Sequence, residues 1–249
     1  MVQSVDRAIS ILKCFSEGRR ELKLSEIADE LGLNKSTVHG IINTLKHHGL
    51  IDQDEKTQKY RLGIYLIGLG ELVVRSIDDR AIGYPIIEEM CRKLKETIHV
   101  GVLDCTDIVY IDKKECDNSI KISTKIGSRH PAYCTADGKV MLAYLDLNKQ
   151  MRIIPDSIPK FTPNTITDKS DIIKELAKIK EKGYAIDNEE YETGLVCVAA
   201  PVFDHSGSVK YGISITGPTI RMTDEKIVEI IDVLKEAAHK ISVEIGYRK

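Results

Sequence analysis

From Leu24 to Leu62 the chain reads LSEIADELGLNKSTVHGIINTLKHHGLIDQDEKTQKYRL, two short amphipathic stretches parted by one glycine and followed by a polar hairpin pattern. Few folds accommodate that order. Ser25 is placed to cap the first stretch, because its hydroxyl can accept from the open amides of a first turn. Ile27, Ala28 and Leu31 then recur at helical spacing. Gly32 stands where a helix end commonly needs a left-handed residue. Asn34 can cap the second helix, whose buried face is Val38, Ile41, Ile42 and Leu45. Ile51 to Leu62 supplies a wing, with Lys56, Thr57, Gln58 and Lys59 at its tip and Tyr60 and Arg61 on the return strand. The pattern is a helix-turn-helix with a wing.

The outward face of the second helix carries Lys35, Ser36, His39, Gly40, Asn43, Lys46 and His47, and no Asp or Glu occurs from Leu33 to Ile51. A face free of acids, in a chain otherwise rich in them, suits an approach to phosphate. Such a helix enters the major groove of duplex DNA with its N-terminal residues nearest the bases. Asn43 suits adenine, and Lys35 suits guanine or a phosphate. Ser36 and Thr37 suit phosphate oxygens at the helix start, and Gly40 lets the backbone come close. The predicted DNA contacts are Ser25, Lys35, Ser36, Thr37, His39, Asn43, Lys46, Lys56, Lys59 and Arg61. A winged helix used only for protein contacts is the weaker alternative, because it does not account for the missing acids.

At 249 residues, the chain is long enough for two domains. The net charge is −2, and residues 1–62 hold ten Lys or Arg against nine Asp or Glu. So modest a basic balance points to affinity assembled from two or more copies. No run approaches the ~18 apolar residues of a membrane span, and Asp6 and Arg7 break any export-signal pattern. Cys14, Cys91, Cys105, Cys116, Cys134 and Cys197 show no CxxC spacing. With no export signal they read as reduced thiols in a cytoplasm.

The fold class expected is α+β, in three parts: a winged helix-turn-helix over 1–63, a linker helix over 64–77, and an α/β domain with an antiparallel sheet over 78–249. Residues 2–16 read as a first helix. The linker is more apolar than a solvated connector, which favours a helix that meets its copy in a dimer. Helices are expected from Pro85 to Thr97, Ala136 to Leu145, Asp171 to Lys182 and Thr223 to Tyr247. Strands are expected over His99–Leu103, Ile108–Lys113, residues 120–124, Tyr184–Asp187, Leu195–Phe203 and Val209–Thr216. The last two are joined as a hairpin by Asp204-His205-Ser206-Gly207. Residues 127–135 and 155–170 are expected as loops.

Along the later strands, Leu195, Cys197 and Ala199 share one face, and Gly212, Ser214 and Thr216 share another. Small polar groups on a sheet face leave room for a small polar ligand. The plainer reading is that Ser214 and Thr216 face water on an edge strand. The loop Tyr133 to Lys139 leads into a helix whose open amides favour an anion.

The chain resembles the IclR family of bacterial transcriptional regulators over nearly its whole length. The matching segments are SVDRA at 4–8, LSEIA at 24–28, NKSTV at 34–38 and YRLG at 60–63. More specific are GYAIDNEE at 183–190, GLVCVAAPVFD at 194–204 and ISITGP at 213–218. The resemblance implies a GAF-like domain that binds a small organic acid, in dimers often paired into tetramers. It implies effector contacts at Ala136, Asp137, Asp187, Leu195, Cys197, Ser214 and Thr216. Asp137 and His130 depart from the family pattern, which is small and neutral at the first position and apolar at the second. An acid at 137 would repel a carboxylate, so a sugar acid or other hydroxylated ligand becomes the better expectation.

The favoured reading is a sequence-specific DNA-binding regulator, a repressor, whose operator binding answers to a carboxylate or sugar-acid effector. It is expected as a homodimer or dimer of dimers, with half-sites about 34–36 Å apart, without catalytic residues or a cofactor. One alternative is a metal-responsive regulator holding zinc through His130, Cys134, Asp187 and Cys197. Another is an enzyme pairing Cys134 or Cys197 with His99, His130 or His205.

Overall fold

The computed structural model describes residues 2–16, 18–75, 80–116 and 121–248, except for the side chains of 74, 75 and 80–82. It divides into two compact units, Met1–Ile77 and Asp78–Lys249.

The first unit runs α1 (Gln3–Lys13), α2 (Leu24–Leu31), α3 (Lys35–His47), β1 (Ile51–Gln53), β2 (Tyr60–Leu62) and α4 (Tyr65–Arg75). Ile11, Ile27, Ala28, Val38, Ile42 and Leu45 bury one face each of α1, α2 and α3 in a common core, closed by Ile51 and Tyr60 of the wing. Gly32 ends α2 in the left-handed conformation at φ 61°, as the spacing predicts. The start of α2 differs from expectation. Its cap position is Lys23, whose amide donates to the Glu26 carboxylate at 2.6 Å, so Ser25 lies inside the first turn. A Glu three residues into the helix satisfies the cap amide there. Asn34 occupies the cap position of α3 in extended conformation, with no side-chain bond to the helix. β1 and β2 pair antiparallel with Asp52 opposite Arg61. Tyr60 also exchanges backbone bonds of 2.9 and 2.7 Å with Leu22.

The second unit runs α5 (Arg80–Leu94), β3 (Thr97–Asp104), β4 (Asp107–Lys114), β5 (Arg129–Pro131), α6 (Ala136–Ala143), α7 (Leu147–Ile153), α8 (Lys169–Lys182), β6 (Ala185–Asn188), β7 (Leu195–Phe203), β8 (Val209–Pro218) and α9 (Asp224–Glu244). A 3-10 turn over Ala132–Cys134 precedes α6. Six strands form one sheet in the order β5-β4-β3-β8-β7-β6, and every neighbouring pair is antiparallel. α5 and α9 pack together on one side, while α6 and α8 pack together on the other. Alternation along β7 and β8 makes this layering work. Val196, Val198, Ala200 and Val202 lie on one side of β7, and Tyr211, Ile213 and Ile215 on the same side of β8. The opposite side carries the small and polar residues and receives α6.

Several local expectations are corrected. The helix expected from Pro85 to Thr97 is α5, which starts at Arg80 and holds Pro85 in its interior; proline's missing amide made it look like a helix start. Residues 121–124 of the expected third strand join no strand, and residue 120 lies outside the described residues. Backbone carbonyls there are taken instead by a side chain: Lys113 Nζ donates to Ile122 O at 2.7 Å and Thr124 O at 2.6 Å. The expected loop at 127–135 contains β5 and the 3-10 turn. α7 was not anticipated; Asp146 caps it by accepting from the Lys149 amide. β8 is no edge strand, for it lies between β3 and β7 with Ser214 wholly buried. Cys91 and Cys116 are joined in a disulfide, against the expectation of six free thiols. No helix among the described residues is long and apolar enough to cross a membrane.

Candidate nucleic-acid interface and effector site

On α3, Lys35, Ser36, His39, Gly40, Asn43, Lys46 and His47 are exposed, while Val38, Ile42 and Leu45 are buried. The helix thus separates a core face from a polar face, as its spacing predicts. Thr37 and Ser25 are half-buried, and Lys56 is exposed at the wing tip with Lys59 half-buried beside it. The tip is shaped by Asp54, which accepts from the Lys56 and Thr57 amides at 3.0 and 2.7 Å. Two of the expected contacts are engaged within the unit. Arg61 donates through Nε and Nη2 to Asp52 at 3.1 and 2.7 Å across the hairpin, and Lys46 donates to Gln53 at 2.9 Å. Asn43 Nδ2 lies 3.4 Å from His39 Nδ1, so these two exposed side chains order one another.

In the second unit, five of the seven expected effector residues converge. Strand register sets Asp187 opposite Cys197, and Cys197 opposite Thr216. One step along, Ala185, Ala199, Ser214 and His99 form the adjacent row. Directly opposed residues share a face, so these side chains point together toward α6. Asp137, in the first turn of α6, is fitted against β8: a Cβ on Gly212 would stand 3.1 Å from Asp137 O and 3.2 Å from its Cα. Ala136 is buried in the hydrophobic core beside it. Leu195 lies at the start of β7, opposite Pro218 and half-buried, at the margin of the group.

Burial dominates the electrostatics. It pushes the Asp137 carboxyl up to about 7, with the neighbouring Ser214 hydroxyl acting more weakly the other way. It likewise pushes Asp187 up to about 7, against the Glu190 amide that donates to Asp187 Oδ1 at 2.7 Å. The Cys197 and Cys134 thiols are also pushed well up by burial, which disfavours the thiolate a nucleophile needs. Among the described residues, the buried side-chain atoms without a hydrogen-bond partner are Asp137 Oδ1, Glu190 Oε2 and Ser214 Oγ. Such orphans are costly, and all three belong to this site or its rim.

Residues that the sequence did not assign to the effector site complete the surroundings. His99 is buried and held neutral, its pKa lowered by desolvation and by Lys113 to about 3. Its Nε2 lies 2.6 Å from Thr124 Oγ1, its Nδ1 lies 3.4 Å from Thr216 Oγ1, and Thr216 donates to Cys197 Sγ at 3.2 Å. A neutral imidazole accepts at one nitrogen and donates at the other. The consistent direction is therefore Thr124 to His99 to Thr216 to Cys197. Rings continue outward from His99 to Tyr110, His130, Tyr191 and Phe161, with centroids 4.7, 5.4, 4.7 and 5.0 Å apart in turn. Lys139, one of the largest wholly buried side chains, pairs with Glu190 and donates to Ile186 O at 2.6 Å. It fixes α6 to the turn that carries Asp187 and Tyr191. The signal for Lys139 was present in the sequence as a lysine on an otherwise apolar helix, and the signal for His99 as the polar end of a strand.

Among the described residues, no three His, Cys, Asp or Glu are grouped so as to hold a metal ion. Of the proposed zinc set, Cys134 Sγ turns to Pro131 O at 3.7 Å, and the His130 ring meets Tyr191 edge to face.

Comparison with known proteins agrees with this architecture. The model of the IclR helix-turn-helix domain matches residues 4–55, and that of the bacterial transcriptional regulator IclR C-terminal domain matches residues 71–243. The chain is 38% identical over 248 residues to the HTH-type transcriptional regulator XynR of Escherichia coli (strain K12), spanning 99% of this chain and 98% of that protein. It is 37% identical to KdgR of the same organism, spanning 99% and 94%. The crystal structure of Thermotoga maritima IclR superposes with a TM-score of 0.75 at 35% identity, covering 99% of this chain and all of the other. With both units matched in order, the chain belongs to the IclR family of bacterial DNA-binding transcriptional regulators.

Proposed function

We propose that the protein is a repressor whose release from its operator is controlled by a small hydroxylated organic acid, a sugar acid being the class that fits best. The carrying observation is the Asp137 carboxyl beside the Ser214 hydroxyl, both wholly buried, with no hydrogen-bond partner of acceptable geometry at Asp137 Oδ1 or Ser214 Oγ. A ligand hydroxyl can donate to one and accept from the other. The acids at 137 and 187 need not repel an anionic ligand. With both carboxyls held near 7, a protonated form is available as donor, as other buried acids provide. A ligand carboxylate would find open amides at the start of α6. Leu195, Cys197 and Thr216 would shape the remaining wall.

DNA contact is assigned to Ser25, Lys35, Ser36, Thr37, His39, Asn43, Lys46, Lys56, Lys59 and Arg61, with Lys46 and Arg61 exchanging their internal partners for phosphate. The functional form is a homodimer, and dimers pair further where two operators are bridged. Effector binding shifts the protein between DNA-competent and released arrangements, which requires different affinities for the two.

The test selects a duplex from a randomised pool with the purified protein, then measures binding by fluorescence anisotropy. Replacing Lys35 and Asn43 by Ala should weaken binding roughly a hundredfold or more, from the loss of two base-facing contacts. Ser214→Ala should leave DNA affinity intact but abolish the thermal shift and DNA release produced by sugar acids. Undiminished DNA binding by the double variant would overturn the α3 assignment. A thermal shift confined to aromatic acids would overturn the hydroxylated-ligand reading.

A further inference from the structure

The Cys91–Cys116 disulfide joins the last turns of α5 to the chain just beyond β4, with the Cα atoms 5.8 Å apart. Its surroundings suit the reduced state as well. Cys116 Sγ lies 3.0 Å from Glu96 O, so a thiol there has an acceptor in place. Glu96 is in turn held by Arg221 through two bonds of 2.6 and 2.7 Å. Cys91 is buried and Cys116 is partly exposed, which gives an incoming oxidant one sulfur to meet first and a second to resolve the product.

Cys116 also stands at one end of a short mechanical path. Lys113, three residues before it, pairs with Glu115 at 2.8 Å and holds the carbonyls of Ile122 and Thr124. Thr124 reaches His99 at 2.6 Å, and His99 adjoins Thr216. The residues on both sides of Cys116 are thus tied to the polar row under α6.

We propose that Cys91 and Cys116 form a reversible thiol-oxidation site, which fixes the 121–125 segment against His99 when oxidised and loosens it when reduced. The oxidant class is a peroxide. The Cys116 thiolate attacks one peroxide oxygen, the O–O bond breaks, and the departing hydroxide takes up a proton to become water, leaving a sulfenic acid. The Cys91 sulfur then displaces the hydroxyl, which leaves as a second water while the S–S bond forms. Two electrons pass from the sulfurs to the peroxide, and both thiol protons end in water. A small dithiol reverses the change by exchange. The site goes beyond the effector reading and does not depend on it.

The test uses the full chain, reduced with a dithiol and then exposed to stoichiometric hydrogen peroxide. The free thiol count should fall from six to four, and peptide mapping should recover the 91–116 link. Backbone hydrogen exchange over 121–125 should be severalfold slower in the oxidised protein. Cys116→Ser keeps a donor for Glu96 O, and in it peroxide should leave exchange over 121–125 unchanged; Cys91→Ser serves the same purpose if the first variant does not fold. The proposal is overturned if peroxide leaves six thiols, if it links another pair such as exposed Cys105 between two chains, or if the 91–116 link forms while exchange over 121–125 stays the same.

Discussion

At the scale of single residues, Asp137 carries the largest consequence. A carboxyl raised from its ordinary value of 3.8 to about 7 holds a proton in the folded chain that the unfolded chain has released. Between those two pH values the folded state binds more protons, so stability falls as pH rises and its loss is complete above about 7. Asp187 acts in the same sense, and each acid withdraws on the order of 4 kcal/mol across that window. His99 works the other way at the acid end: with its pKa lowered to about 3, it costs stability as pH falls below its ordinary value of about 6.5. Thermal unfolding should therefore show a lower midpoint at pH 7.5 than at pH 5.5. Asp137→Asn, which cannot ionise, should remove more than half of that difference, because His99 offsets part of the two acids' combined effect at pH 5.5. A wild-type midpoint unchanged between the two pH values would mean that the acids do not outweigh His99 across this window. The site's polar membership was partly legible: alternation placed Ser214 with Thr216 and Cys197 with Ala199, and strand register brought the two rows onto one side. His99 was read only as a possible partner for a thiol, and Lys139 only as part of the segment leading into a helix; cross-strand register showed what the first faced, and packing against β6 what the second held.

Among the elements, α6 depends most on close approach. A Cβ on Gly138 would meet Ala132 O at 2.2 Å and its Cα at 2.3 Å, so the helix rests directly on the 3-10 turn before it. Gly138→Ala must push the two apart. Overpacking of this kind costs about 1–3 kcal/mol, and the displacement would carry Asp137 away from Gly212. The expected outcome is a lower unfolding midpoint together with loss of any acid-induced thermal shift, read in one experiment. Retention of a full shift would mean that Asp137 can move without harm. The elements most legible in sequence were those with a single dominant rhythm. β7 begins and ends where alternation placed it, and α8 and α9, capped by Asp168 and Thr223, lie within three residues of the bounds expected. The elements missed were those set by distant partners. β5 exists through its pairing with β4, and the third strand fails because Lys113 occupies its carbonyls.

For the whole molecule, the decisive quantity is how much apolar surface one copy leaves uncovered. Ile64, Tyr65, Ile67 and Leu72 on and just before α4 are 84, 55, 70 and 65% exposed. Apolar groups clustered in this way mark an interaction surface more often than a solvated helix, and a two-fold pairing of this face is the simplest cover. Replacing Ile67 and Leu72 together by Glu should shift sedimentation toward the monomer at micromolar concentration. It should also weaken DNA binding, since each copy brings only a modest basic face. An unchanged sedimentation profile would mean that this face does not join two copies.

β7 and β8 bear different duties on their two sides, and this bears on how such a protein changes over time. On one side, Val198, Ile213 and Ile215 are locked into the hydrophobic layer, where a lost methyl is felt in stability. On the other, Ser214, Thr216 and Cys197 contribute little to that layer. Under the proposed effector reading, substitutions there would change which ligand is recognised without touching the hydrophobic layer opposite. On that reading, signal specificity would drift from one descendant to the next while the scaffold and α3 stay as they are.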